Sequence, residues 1–129
     1  MALPTENFQL QGLRGATTSQ SNEAKAIGTS VTELIRELVK RNELKPEQII
    51  SITFSVTTDL NACFPAAIAR RQPGWEHVAL LDCQQMSVKG DLKKCIRLLA
   101  HVLLPMNQKP RHTYLGEAIL LRPDRSSNN

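Results

Sequence analysis

The feature that most restricts this chain is one long amphipathic stripe. Ile27, Val31, Leu34, Ile35, Leu38 and Val39 recur at intervals of three and four residues. Lys25, Thr32, Glu33, Arg36, Glu37, Lys40 and Arg41 occupy the positions between them. An α-helix gathers the first set on one face and the second on the other. Such a helix has to bury its apolar face, and most of the remaining chain reads as strand. Phe8, Leu10 and Leu13 open an extended segment that runs to Arg14-Gly15-Ala16. Ile49 to Val56 is rich in β-branched residues and reads as a buried strand. His77 to Leu81 and Thr113 to Leu121 are strand-like. Leu92 to Leu104 is apolar enough for either a helical face or a buried strand. One helix among several strands predicts a mixed α/β (α+β) single domain.

Turn chemistry divides these segments. Thr17 to Asn22 is a hydroxyl-rich turn in which Ser21 or Asn22 is expected to cap the helix. Lys45-Pro46-Glu47-Gln48, Thr57 to Asn61, Pro73-Gly74, Lys89-Gly90-Asp91 and Lys109-Pro110 mark further turns. Pro65 suits the first turn of a short helix that continues to Arg70. Arg122-Pro123-Asp124 ends the last extended run before a polar tail.

Several function classes are disfavoured. A net charge of +4 from 16 Lys+Arg and 12 Asp+Glu is mild, and no dense basic run interleaves with aromatics. A surface that tracks phosphates needs both, so no nucleic-acid partner is expected. No apolar stretch approaches the roughly 18 residues of a membrane span. No basic start followed by an apolar run suggests a secretory signal. The three cysteines, Cys63, Cys83 and Cys95, form no C-x-x-C pair. A disulfide framework and a zinc site are therefore not expected, and a reducing cytoplasm fits. The cysteines lie among apolar neighbours, where a small buried hydrophobe is the usual role. His77, His101 and His112 lack metal-ligand spacing. There is no G-x-S-x-G elbow and no glycine-rich phosphate loop.

What remains is arginine inside strands. Arg97 sits in Cys95-Ile96-Arg97-Leu98-Leu99, and Arg14 ends an apolar run beside Gly15. A buried guanidinium without an anion is costly, on the order of several kcal/mol. Each is expected either to pair internally with Asp59, Asp82 or Glu117, to sit exposed at a strand end, or to line a pocket for a small anion. A carboxylate suits such a pocket, because the planar fork of arginine donates two parallel hydrogen bonds to it.

Leu13-Arg14-Gly15-Ala16-Thr17-Thr18 and Thr58-Asp59-Leu60-Asn61-Ala62-Cys63-Phe64-Pro65-Ala66 are two signatures of a known kind. Pro73-Gly74-Trp75, Gln84-Gln85-Met86, Lys93-Lys94-Cys95-Ile96-Arg97 and Arg111-His112-Thr113-Tyr114-Leu115 follow in order, and Leu120-Leu121-Arg122-Pro123-Asp124 closes the series. In this order and spacing they resemble the monofunctional AroH-type chorismate mutases. The resemblance implies a domain over residues 10–124, with residues 1–9 as an N-terminal extension and 125–129 as a flexible tail. It implies a homotrimeric pseudo α/β-barrel with active sites at the subunit interfaces, and a strand from Lys94 to Val102. It implies the Claisen rearrangement of chorismate to prephenate in phenylalanine and tyrosine biosynthesis, a pericyclic reaction with no cofactor and no metal. Carried over by position, Arg97 matches the catalytic cation beside the ether oxygen. Arg14 and Tyr114 match groups that hold a substrate carboxylate. Phe64, Ala66 and Arg70 match the wall from a neighbouring subunit, and Leu121 and Arg122 match the C-terminal cover.

Three positions depart from the family pattern. Ala67 replaces a lysine at the cleft rim. Gln85 replaces a glutamate that contacts the substrate hydroxyl, and Asp82 replaces a cysteine. The last two together suggest that the carboxylate has moved, so that Asp82 is expected to pair with Arg97 and orient it. Two other readings are weighed. One is a non-catalytic trimeric binder of a small anion. The other is an enamine deaminase of similar architecture, whose motifs this chain lacks.

Overall fold

The apolar stripe forms α1, Ala24–Arg41, and buries Ile27, Val31, Leu34, Ile35 and Leu38 as its spacing requires. A computed structural model describes residues 7–121. The outer part of the expected extension, the last residues of the expected domain from Arg122 and the expected tail lie outside the described residues. The strands are β1 (Phe8–Thr18), β2 (Ile49–Val56), β3 (Ala79–Gln84), β4 (Cys95–Pro105) and β5 (Thr113–Tyr114), with a short helix α2 at Pro65–Ala69. The class is mixed α/β, as the sequence predicts.

The five strands form one sheet in the order β3-β2-β4-β1-β5. Strand β4 lies between β1 and β2 and is antiparallel to both, while β2 pairs parallel with β3 and β1 with β5. Alternation along β4 turns Ile96, Leu98, Ala100, Val102 and Leu104 inward. Together with Leu13, Ile52 and Phe54 they meet the buried face of α1 in one core. Each such side chain contributes about 1.5–3 kcal/mol relative to an exposed one. Among the described residues no α-helix packs on the opposite face of the sheet. Leu10, Leu81 and Leu99 stay 62%, 59% and 43% exposed there.

Several local expectations are corrected. Neither Ser21 nor Asn22 caps α1; the N-cap is Glu23, without a side-chain bond. Ser21 instead donates to the Glu23 carboxylate, and Asn22 accepts from the N–H groups of Asn61 and Ala62. Asn22 is thus spent on pinning the loop after β2. Strand β3 starts two residues later than His77 and runs to Gln84, because Trp75 and Val78 bury themselves in a turn first. Leu92 to Leu104 resolves as strand from Cys95 onward, as the family resemblance implies.

The extended run expected from Thr113 to Leu121 is strand only at Thr113–Tyr114. Gly116 has φ +56°, a conformation open to glycine at little cost. It breaks the run and starts a 3₁₀ turn over Gly116–Leu121. The Glu117 N–H donates to Thr18 Oγ1 at 3.2 Å and ties that turn back to β1.

Candidate active site

The open face of the sheet is where strand parity gathers the polar groups. Arg97 stands opposite Ala16 on β1 and Ser55 on β2. Arg14 stands opposite Leu99, and Tyr114 beside Ala16. Ala16 is small, so space remains above it, walled by the buried ring of Tyr114 and by Leu121. The result is a cavity of about 330 Å³ lined by Arg14, Gly15, Ala16, Arg97, Leu98, Tyr114 and Leu121. Four of the residues named from the sequence, Arg14, Arg97, Tyr114 and Leu121, therefore meet in one place.

Arg97 is half-satisfied. Its Nη2 donates to Asp91, at 3.1 Å to Oδ1 and 3.4 Å to Oδ2. Its Nη1 is buried without a hydrogen-bond partner among the described residues. An unsatisfied buried donor costs roughly 1–3 kcal/mol, more when charged, so an anion or a rotation toward one is favoured. Hydrogen bonding from the Leu92 N–H, then from Arg97, holds the Asp91 carboxyl below its ordinary value. Asp91 is also in the wall of a second cavity, about 370 Å³, with Thr57, Asp59, Gln85, Met86 and Lys93. Gln85 accepts from the Ser55 hydroxyl at 2.7 Å, which holds its amide on the same face as Arg97.

The start of β4 is clamped from the neighbouring loop. The Thr57 hydroxyl donates to Asp59 Oδ1 and accepts from the Cys95 N–H at 3.0 Å. Asp59 Oδ2 accepts from the Lys94 N–H at 2.9 Å. Burial opposes the ionisation of Asp59, but the bonds from Thr57 and Lys94 outweigh it and lower the pKa. This clamp sets the end of the strand from which Arg97 projects.

The expected pairing of Asp82 with Arg97 does not occur. Asp82 stands opposite Phe54, and Phe54 opposite Leu98, so Asp82 shares the core-facing side of the sheet with them. Arg97, one step along β4, points the other way. Asp82 Oδ1 instead accepts from the Ala66 N–H at 3.0 Å. Phe64 is the N-cap of α2 and brings no side-chain acceptor, so Asp82 supplies one from β3. Burial raises the Asp82 pKa, opposed by the Ala66 N–H and by Arg70. Neither Asp59 nor Glu117 meets Arg97 either; its carboxylate is Asp91, from the turn before β4.

Of the three residues expected to form a neighbouring wall, Phe64 is 70% exposed and Arg70 is exposed. Ala66 is buried in the core of its own chain, so its side chain is not available as wall. Arg122 lies outside the described residues. The cysteines also divide. Cys95 is fully buried and its thiol is pushed up by burial to about 11, which leaves it protonated. Cys83, expected to be buried, is exposed on the open face of β3.

The sequence pattern of the chorismate mutase type I family matches residues 10–125. The chain belongs to that family. It is 38% identical over 120 residues to the chorismate mutase AroH of Bacillus subtilis, covering 92% of this chain and 94% of that one. It is 37% identical over 121 residues to the chorismate mutase AroH of Thermus thermophilus, covering 92% and 98%. The solved structure of a chorismate mutase from Clostridium thermocellum superposes with a TM-score of 0.79 at 39% identity, covering 85% of this chain and 98% of that one. Membership in the type I chorismate mutases accounts for the arginine-bearing strands and does not favour the non-catalytic reading.

Proposed function

We propose that this chain converts chorismate to prephenate, at the cavity lined by Arg14, Arg97, Tyr114 and Leu121. The observation that carries the placement is the convergence of two guanidinium groups and a phenol on one small cavity, which suits a substrate with two carboxylates. In this reading Arg14 and Tyr114 hold a carboxylate and orient the substrate. Folding the substrate into the reactive conformer removes much of the entropic barrier. Arg97 donates to the ether oxygen, where negative charge grows as the C–O bond breaks. A cation placed there stabilises the transition state more than the ground state. Gln85 keeps a hydrogen-bonding group at the family's glutamate position without the charge. The rearrangement is intramolecular, so the side chains need to bind, orient and balance charge, and no cofactor is called for.

The reading includes a homotrimer. Leu10, Leu81 and Leu99 are exposed on the open face of the sheet, an apolar surface that a second copy would cover; in this reading Phe64 and Arg70 of a neighbouring copy wall the cavity. Leu121, with Arg122 next in sequence, would cover bound substrate. Among the described residues no helix is long and apolar enough to cross a membrane. The reading includes a role in phenylalanine and tyrosine biosynthesis, and the three free cysteines suit the reducing cytoplasm.

The test is direct. Purified protein should accelerate the loss of chorismate absorbance, with prephenate as the product seen by NMR. No acceleration over buffer would refute the reading. For the shared site, Arg97→Ala and Arg70→Ala proteins should each be impaired, and activity should return when the two are unfolded and refolded together. Recovery requires sites built from two chains, and its absence would place all required groups on one.

A further inference from the structure

We infer that Asp91 is a positioning residue for Arg97, the carboxylate that fixes the plane of its guanidinium beside the proposed cavity. The inference rests on the proposed reaction at this site. Asp91 engages Arg97 Nη2 with both carboxylate oxygens, at 3.1 and 3.4 Å. The carboxylate is itself held, since Oδ1 also accepts from the Leu92 N–H at 2.8 Å. Leu92 packs against the cluster of Ala16, Tyr114 and Ala118, which walls the Arg97 cavity. The turn before it is closed by the Asp91 N–H donating to the Val88 carbonyl, with Gly90 at φ +84°. Backbone, hydrogen bond and packing therefore aim Asp91 at the guanidinium, unlike a surface pair of two long, free side chains. With Nη2 engaged by Asp91 the fork has a defined plane beside the cavity that Arg97 lines. Asp91 contacts no reacting atom and acts through Arg97. A bond of this kind that strengthens a contact made only in the transition state lowers kcat and kcat/KM together when lost.

The experiment is steady-state kinetics with chorismate on the parent and on Asp91→Asn. The variant is isosteric and keeps an oxygen for the Leu92 N–H, but loses the charge that orients Arg97. The expected result is a fall in kcat of about 10-fold or more, the worth of one charge-assisted hydrogen bond. KM should change less than about twofold, and the urea midpoint should stay near the parent's. Should Asp91→Asn fail to fold, Asp91→Ser is held to the same outcomes. Turnover by the parent with a variant kcat within about twofold overturns the inference alone. So does a rise in KM without loss of kcat, which would make Asp91 a ground-state binding group. No turnover by the parent overturns the reaction and this inference with it.

Discussion

Asp82→Ala and Asp82→Asn should behave differently, because the structure gives the carboxylate a capping task. Helix α2 begins at Pro65, which has no N–H, and its N-cap is Phe64, which has no side-chain acceptor. The next N–H, that of Ala66, belongs to a residue only 4% exposed. Asp82 Oδ1 at 3.0 Å is its acceptor. Alanine at 82 removes that acceptor and leaves a buried donor, at a cost of about 1–2 kcal/mol. Asparagine keeps an oxygen at the same place. It also removes a charge that burial already disfavours, since the Asp82 pKa is raised. The ionised form thus has little to lose, and Asp82→Asn should sit near the parent or above it in stability.

Urea unfolding followed by circular dichroism at neutral pH separates the two. With a slope of roughly 2 kcal/mol per molar urea, alanine should lower the midpoint by about 0.5–1 M. Asparagine should move it by less than about 0.2 M on the same scale. Turnover should follow folding, with Asp82→Asn within about twofold of the parent in kcat/KM. Equal destabilisation by both variants would show that the charge, not the acceptor, supports α2. A tenfold loss of kcat/KM in Asp82→Asn at unchanged stability would return the carboxylate to the chemistry.

Arg97→Lys keeps the charge and loses the planar fork whose Nη2 engages Asp91; kcat should fall about 100-fold, as for loss of one transition-state donor, and full kcat would remove Arg97 from its proposed role. Gly116→Ala places a Cβ 2.8 Å from Thr18 Oγ1 at φ +56°. It should cost about 1–2 kcal/mol in urea unfolding, and a neutral effect would mean that the turn into Gly116–Leu121 is not held by that angle. Asp59 has a lowered pKa through bonds that exist only in the folded state, despite its burial. Its contribution is therefore complete above the unfolded value of about 3.9 and is lost as pH falls through the lower folded value. The gap in urea midpoint between the parent and Asp59→Asn should be constant from pH 7 to about 5 and close in strong acid; a gap that widens on acidification would reverse the assigned sign.

The helix and the central strands were legible because their signals are local. The stripe from Ile27 to Leu38 could be nothing but a helix, and the β-branched run from Ile49 to Val56 had one period to fit. Errors fell where a tertiary bond overrode a local preference. Asn22 is a good capping residue, but two N–H groups from Asn61 and Ala62 reach it first. Thr113 to Leu121 has strand composition, yet Gly116 turns it after two paired residues. Leu92 to Leu104 could not be assigned by periodicity, because Leu99 and Leu103 stand on the open face of β4, where polar residues would have marked the alternation.

The site was legible in its cations and not in its anion, and the reason is parity. Motifs marked Arg14, Arg97 and Tyr114, and the register then put them on one face without further help. Choosing a carboxylate for Arg97 needed the relative register of β2, β3 and β4, which the sequence does not display. A shift of one residue moves a side chain to the other face of a sheet. Asp82 lies opposite Phe54 and so faces the core with Leu98, whereas Ser55 lies opposite Arg97. The carboxylate that reaches Arg97 comes from the turn preceding its own strand, where no strand parity applies and Gly90 sets the direction. Parity thus leaves the open face and its adjoining turns as the places from which a carboxylate can reach Arg97, and Asp91 arrives from the turn.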